Sequence, residues 1–335
     1  MPRRCSRPGR PAFSTPVNAL RMLSLRWVAN LPPAESLHGV LDVSARRRLA
    51  RDISRLASAT ARSVLSAPAE PVVPAARRIG FTGPPGVGKS TLVGKLVERR
   101  AARGISVAVL AVDPASPYSR GAILGDRIRM DAASNDPRVF MRSVSSRDAQ
   151  DGMCNNVADI LCAMEAHGFS EIVLETVGVG QAEHAVKALV DTVVLLMQPE
   201  TGDAIQALKA GILEVADIIV ISKSDLPGAP KMRETLASTV RFGAQRAVGW
   251  RVPVLSVSVD SGQGMVELEE ALSAHAVWVE THRDPAQARR RRASYRVQDL
   301  FARRLEDQLA TLAPAEWELP VAELYARVLS GLALD

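Results

Sequence analysis

The segment GPPGVGKST, residues 83–91, has the residue types and the spacing of a loop that binds phosphate groups. In the pattern G-x-x-x-x-G-K-[ST], backbone N–H groups surround the phosphates, the lysine reaches the β and γ oxygens, and the hydroxyl binds Mg²⁺. Gly83 and Gly88 permit the backbone angles that such a loop needs. The nucleotide-binding residues predicted here are Gly83, Pro84, Pro85, Gly86, Val87, Gly88, Lys89, Ser90 and Thr91. The motif predicts a nucleoside triphosphate without identifying its base.

Two carboxylates follow apolar runs and are candidates for the same site. Asp113 ends the run in LAVDP, and Glu175 ends the run in VLETVGVGQ. In open α/β sheets ligands bind beyond the carboxyl ends of the strands, so both acids are expected at the edge where the phosphate loop lies. They are therefore candidate Mg²⁺ ligands together with Ser90. Residues 178–180, Gly-Val-Gly, would let the backbone approach a γ-phosphate and change shape after its release.

The segment ISKSDL, residues 221–226, is a candidate reader of the base. Guanine-nucleotide proteins use Asn-Lys-x-Asp at the end of a strand, and Ser222 stands at the asparagine position. Asp225 can accept hydrogen bonds from two donors of guanine, whereas adenine would leave this carboxylate unpaired. Lys223 would lie along the purine. Replacing the asparagine by serine weakens one neutral contact, worth about 0.5–1.5 kcal/mol, so GTP remains the predicted nucleotide.

Short apolar runs alternate with helical stretches over residues 77–259. This pattern predicts the strands and helices that position the candidate site residues. The runs are RRIGFTG, ISVAVLAVD, RVFMRSV, SEIVLET, DTVVLLMQ, ADIIVIS and VPVLSVS. Continuous, β-branched runs of this length are typical of strands buried on both faces. The predicted fold is an α/β P-loop NTPase, with a mostly parallel central sheet flanked by helices and with N-terminal and C-terminal helical extensions.

The domain boundaries follow changes in composition. Residues 1–41 are predicted to form a basic, disordered arm, and residues 42–76 are predicted to form one helix (42–66) and a proline-rich linker. The GTPase domain spans residues 77–282 and ends in a helix over 264–282. Residues 283–335 are predicted to form a C-terminal helical extension, a candidate for dimerisation. Within it the sequence predicts a charged hinge at 283–292, whose arginines form a solvated surface, and helices at about 293–311 and 319–332.

Composition and charge argue against several classes of function. The chain has a net charge of +6, but residues 1–78 carry 14 Lys/Arg and 4 Asp/Glu, so the remainder is mildly acidic. Aromatic residues make up 4%, too few for stacking nucleic-acid bases. No apolar run reaches the roughly 18–20 residues that cross a bilayer. The three cysteines show no metal-binding spacing. We therefore expect no nucleic-acid or membrane partner.

The basic arm leaves three interpretations open. It is a disordered tail with Met22 as a later start, an organellar transit peptide, or a segment that binds polyanions. The first interpretation predicts a cytoplasmic protein, and the second predicts a mitochondrial one.

Several longer segments resemble one known family. They are GPPGVGKSTL, AVDPASP, GAILGDRIRM, ETVGVGQAE, PETGDAIQALKAGILEVADI and SKSD, in this order over about residues 77–282. Together they resemble the MeaB/ArgK/MMAA family of GTPases associated with methylmalonyl-CoA mutase. The resemblance implies a SIMIBI-class P-loop GTPase and a homodimer that uses GTP/GDP and Mg²⁺ and has a low basal rate. It also implies a chaperone that assists cobalamin loading and protection of an adenosylcobalamin-dependent acyl-CoA mutase.

The resemblance also assigns roles to residues. Ser90, Asp113 and Glu175 would surround the magnesium ion, joined by Asp126 from the first switch. Lys209 would promote hydrolysis, or is an ordinary lysine exposed on a helix. Further family positions are Gln181 after the second switch, Asp203 and Gln206 in the segment that senses the mutase, and Ser258, Val259 and Asp260 in the loop that caps the base.

The sequence departs from the family pattern at two segments, and other functional classes stay open. SSRDAQDGMCNN, residues 145–156, is more polar and less rich in glycine than the family loop, and Arg120 stands at a common glycine position. Both departures lie near segments that are expected to move on hydrolysis. We therefore expect them to affect the rate of hydrolysis and the coupling to a partner, and not nucleotide binding. The alternative function is a maturation or metal-insertion GTPase for a different metalloenzyme. A transport ATPase is an older label for this family, and a nucleic-acid-binding protein is a third class.

Overall fold

A computed structural model describes residues 40–66, 76–113, 136–146, 152–176, 182–199, 212–242 and 249–332. Within these ranges, the strands form one sheet in the order β3-β2-β4-β1-β5-β6-β7, and every neighbouring pair is parallel. The strands are β1 Arg77–Thr82, β2 Val107–Asp113, β3 Val139–Ser145, β4 Glu171–Thr176, β5 Thr192–Met197, β6 Ile218–Ile221 and β7 Val254–Ser256. Each predicted apolar run coincides with one of them to within a few residues, so the predicted α/β class is confirmed.

Helices cover both faces of the sheet. They are α1 Val43–Ser58, α2 Ala61–Leu65, α3 Lys89–Ala102, α4 Val157–Ala166, α5 Ala182–Leu189, α6 Ala229–Phe242, α7 Met265–His282, α8 Pro285–Ala310 and α9 Val321–Leu332. One core cluster lies under α1, α4 and α5, and a second lies under α3 and α7. A third lies between α6 and strands β5 and β6. The sheet is therefore buried on both faces, which explains its continuous apolar runs.

The prediction of one helix over residues 42–66 is wrong, because the chain breaks after Ser58. Ala59 and Thr60 are extended, and Thr60 begins α2 by accepting a hydrogen bond from the backbone N–H of Ser63. The carbonyl of Ala59, which no longer continues a helix, accepts a hydrogen bond of 3.0 Å from the amide of Asn156. A tertiary contact therefore stabilises the break.

The charged hinge predicted at residues 283–292 is also wrong, because α8 runs without interruption from Pro285. Asp284 caps this helix by accepting from the N–H of Ala286, and a proline in the first turn has the backbone angle that a helix needs. Two arginines of the run make tertiary contacts instead of facing solvent. Arg291 donates to the Val190 carbonyl at 3.0 Å, and Arg292 pairs with Asp191 at 2.5 Å.

A buried charged cluster joins α5, α7 and the short link between α7 and α8 at the amino-terminal edge of the sheet. Asp217, which is 5% exposed, accepts from Lys187 at 2.7 Å, from Arg283 at 3.0 Å and from the backbone N–H of Val193. His275 approaches the same carboxylate at 3.4 Å. Burial alone would raise the pKa of Asp217, but the hydrogen bond and charges of these partners hold that pKa below its ordinary value.

Two kinds of feature, a membrane-crossing helix and a metal-binding cluster, are absent from the ranges given above. Among these residues, no helix combines the length and apolar character that a membrane crossing requires. The same residues contain no group of three or more histidines, cysteines and acids arranged to hold a metal ion by themselves.

Candidate functional site

The phosphate loop lies between the central strand β1 and helix α3. Gly83 has φ +146°, and a Cβ there would stand 2.3 Å from the carbonyl oxygen of Leu196 in β5, so only glycine fits. Gly88 is the N-cap of α3 and has φ +90°, a backbone angle that favours glycine. The first N–H groups of α3 and its positive dipole end therefore face the space within the loop, which suits a phosphate group.

Lys89, the first residue of α3, turns back over the loop. Its side chain is buried, and Nζ donates to the carbonyl oxygens of Gly83 at 2.8 Å and Pro84 at 2.7 Å. These contacts hold the ammonium group within the loop, beside the N–H groups that face the same space. A bound phosphate would meet a positive charge that is already in position.

A buried acid binds a hydroxyl beside the loop, and a second buried acid ends at the same edge of the sheet. Ser90 Oγ donates to Glu175 Oε1 at 2.6 Å, the short distance expected of a bond to a carboxylate. Strands β2 and β4 are neighbours with Ala111 opposite Glu175, so Asp113 ends at the same edge. A hydroxyl and two carboxylates form an oxygen donor set, which Mg²⁺ prefers. The residues present therefore fit a magnesium ion, and a bound ion would supply positive charge to the phosphate oxygens.

Ser222 joins the first base loop, residues 222–226, to the phosphate loop. It follows the last residue of β6, and its buried hydroxyl donates to the carbonyl oxygens of Val87 at 2.7 Å and Met197 at 3.1 Å. Sequence reasoning considered only a weakened contact with the base at this position. The structure instead shows the hydroxyl acting between two loops, a contact that the sequence pattern does not reveal.

Lys223 also contacts the phosphate loop. Its backbone has φ +50°, in the left-handed region, and Nζ donates to the Gly86 carbonyl at 3.0 Å and to Gln198 Oε1 at 2.8 Å. Gln198 was missed by sequence reasoning, although it directly follows β5 at the edge where the predicted ligands lie. The stem of Lys223 thus crosses the outer side of the loop.

The first base loop and the second base loop, residues 257–260, lie side by side. The backbone N–H of Ser224 donates to Val257 O at 3.2 Å, and the neighbouring hydroxyl group of Ser258 lowers the pKa of the exposed Asp225 carboxyl. Asp225 is therefore ionised at neutral pH and can accept from the N–H groups of a base. In the second loop, Ser258 is buried, Val259 is partly buried and Asp260 is exposed.

The structure brings together most, but not all, of the residues that the sequence singles out. Lys89 contacts the phosphate loop, Glu175 accepts from Ser90, and Asp113 ends at the same edge of the sheet. Ser222, Lys223, Asp225 and Ser258 lie on the adjoining base loops. Five predicted residues lie outside the described residues, so their roles stay predictions: Asp126, Gln181, Asp203, Gln206 and Lys209.

The parallel sheet and the loop that follows its central strand define a P-loop nucleoside-triphosphatase. A crystal structure of a LAO/AO transport system kinase is similar, with a TM-score of 0.55 at 22% identity, covering 96% of this chain and 99% of that chain. This similarity supports the fold alone.

The profile of the family described as methylmalonyl Co-A mutase-associated GTPase MeaB matches residues 51–313. The chain belongs to this family, which confirms the resemblance seen in the sequence, and it is a GTPase. A putative GTPase of Pyrococcus horikoshii is 40% identical over 234 residues, which cover 69% of this chain and 74% of that protein. A putative GTPase of Caulobacter vibrioides is 34% identical over 90% of this chain and 98% of that protein.

A further relative is the mitochondrial methylmalonic aciduria type A homolog of Mus musculus. It is 37% identical over 198 residues, which cover 58% of this chain and 48% of the mouse protein.

Proposed function

We propose that this chain hydrolyses GTP with Mg²⁺ and acts as a chaperone for an adenosylcobalamin-dependent acyl-CoA mutase of the methylmalonyl-CoA mutase type. The observation that supports nucleotide binding is the contact of Lys89 with the phosphate loop and of Ser90 with the buried Glu175, with the buried Asp113 at the same edge of the sheet. The family description and the mouse relative's name support the choice of mutase as partner.

Hydrolysis in this site is attack of water on the γ-phosphorus in line with the bond that breaks. The ammonium group of Lys89 and the N–H groups at the start of α3 stabilise the charge that spreads over the phosphate oxygens. Ser90, Asp113 and Glu175 would hold a magnesium ion, and its positive charge would supplement this stabilisation. None of the loops at residues 83–88, 222–226 and 257–260 contains a histidine. We therefore propose a low basal rate that a partner raises.

Asp225 is proposed to select guanine over adenine, and Ser222, Lys223, Ser258, Val259 and Asp260 to complete the base site. Asp225→Asn should reduce the preference for GTP over ATP by about tenfold or more, because an amide presents donors where guanine also has donors. Competition binding measures this ratio. Glu234→Gln on α6 is the matched control, since this acid is exposed and lies outside the base loops. An unchanged ratio in the Asp225 variant contradicts the proposed base site.

The chaperone role has its own experiment. We expect the rate of GTP hydrolysis to rise when purified mutase is added and to stay constant with an unrelated protein of similar size. A constant rate with a mutase whose binding to this chain is verified contradicts the chaperone role while leaving the GTPase activity in place.

The homodimer is proposed to form through the C-terminal extension. Val297 and Phe301 on α8 and Tyr325 on α9 are each more than half exposed, an unusual position for large apolar side chains. Light scattering after gel filtration should give the mass of two chains. A mass of one chain across a range of concentrations contradicts the dimer.

A further inference from the structure

A second cavity lies between helix α6 and the edge strand β7, at the end of the sheet opposite the phosphate loop. Its volume is about 670 Å³, within the roughly 300–1,000 Å³ of pockets for small organic molecules. The base loops adjoin the start of α6 and the end of β7. The cavity is lined instead by the later part of α6 and by the residues that lead into β7. It is therefore a separate site from the nucleotide pocket.

Three guanidinium groups line this cavity: Arg233 and Arg241 from α6, and Arg251 before β7. Within the described part of the chain, none of the three forms an ion pair with an acid, and the Nε of Arg241 donates only to a carbonyl of its own helix. Three like charges around one cavity repel each other unless an anion binds between them. All three arginines are exposed, so an anion in solution can reach them.

The remaining walls of the cavity are apolar and one of them is rigid. Val240 and Val252 are partly buried side chains at the margin of the core cluster beneath α6. The indole of Trp250 is fixed by a hydrogen bond of 2.9 Å to the Asp217 carbonyl and by an edge contact with His275, with ring centres 4.7 Å apart. A flat aromatic wall and two valines suit an apolar body rather than a hydrated ion.

We propose that this cavity binds a phosphate monoester that carries an apolar or aromatic body. The guanidinium groups match the phosphate oxygens in shape and charge, since arginine binds phosphate through paired hydrogen bonds. The apolar body lies against Trp250 and the two valines. The ligand would bridge α6 and β7, which carry the two base loops at their other ends.

Calorimetry with 1-naphthyl phosphate tests the proposal on the full chain saturated with GDP and Mg²⁺, so that the phosphate loop is occupied. We expect one site whose affinity exceeds that for inorganic phosphate and for 1-naphthol by about tenfold each, because each reference compound lacks one half of the ligand. Arg233→Gln and Arg251→Gln should each weaken binding about tenfold. Arg290→Gln, an exposed arginine on α8, should leave it unchanged.

Three results would overturn the proposal. The first is that 1-naphthyl phosphate fails to bind the GDP-saturated chain, or binds only after GDP is removed, which would assign it to the phosphate loop. The second is equal affinity for 1-naphthyl phosphate and 1-naphthol, which would show that the arginines play no part. The third is unchanged binding in both arginine variants, with their fold verified by circular dichroism.

Discussion

Removing the hydroxyl group of Ser222 tests whether it joins the first base loop to the phosphate loop. Ser222→Ala removes the 2.7 Å hydrogen bond to Val87 O and the 3.1 Å contact with Met197 O. The Met197 carbonyl keeps the backbone N–H of residue 222 as a donor at 2.8 Å. The loss therefore falls mainly on the carbonyl of Val87 in the phosphate loop.

The expected magnitude follows from the burial of this contact. A neutral hydrogen bond contributes about 0.5–1.5 kcal/mol, and a buried polar group without a partner costs about 1–3 kcal/mol. Ser222 is 6% exposed, so water cannot readily replace its hydroxyl. We expect the free energy of unfolding in urea to fall by about 1–3 kcal/mol. We also expect calorimetry to show GDP binding about fivefold weaker, which corresponds to about 1 kcal/mol in the bound state.

Ser224, two positions later, provides the matched control. Its hydroxyl is buried but has no hydrogen-bond partner among the described atoms. Ser224→Ala should therefore leave the free energy of unfolding unchanged or slightly higher, and GDP affinity unchanged. If the Ser222 variant matches the natural protein in both measurements, or if both alanine variants lose equal stability, the proposed joint between the loops is refuted.

Three further predictions concern the ligand site and the buried charged cluster. Lys89→Ala should abolish nucleotide binding in calorimetry, because the loop loses its positioned ammonium group; unchanged binding would disprove the phosphate site. Glu175→Gln should raise the Mg²⁺ concentration needed for half-maximal hydrolysis by roughly tenfold, because one anionic ligand is lost, and an unaltered requirement would exclude this acid from the metal site. Asp217→Asn should lower the free energy of unfolding by about 3–5 kcal/mol, because it leaves buried cations unpaired, whereas the exposed Asp307→Asn should change it by less than about 0.5 kcal/mol. Because the folded chain lowers the pKa of Asp217, this carboxylate contributes stability above its ordinary pKa of about 4 and loses it as the pH falls; urea titrations below pH 5 should show a shallower decline in the Asp217 variant, and parallel declines would contradict the assignment.

The sheet could be predicted because its signal is local. A run such as IIVI in β6 is apolar and β-branched at every position, and few structures other than a doubly covered strand accommodate it. The phosphate loop could be predicted for the same reason, since the spacing of its glycines, lysine and serine lies within nine residues.

The helical extensions could not be predicted as well, because distant contacts decide them. Pro285 and the arginines after it have the composition of a hinge, yet α8 begins there because Asp284 caps it. The partner of Arg292 is Asp191, about 100 positions earlier, and no sequence period indicates this pairing. The role of Ser222 was missed for a related reason, since its acceptor, Val87, belongs to another loop.

The contacts between α8 and the turn after α5 restrict how the molecule can move. Arg292 donates to the Asp191 carboxylate at 2.5 Å and Arg291 to the Val190 carbonyl at 3.0 Å. Arg283, two residues before α8, donates to the Asp191 carbonyl at 2.8 Å. Hydrogen bonds weaken sharply beyond about 3.5 Å, so a shift of α8 by about 1 Å breaks them unless the turn travels with it. When another molecule displaces the C-terminal helices, α5 therefore moves together with α8. Helix α5 starts two residues after the glycines at 178–180.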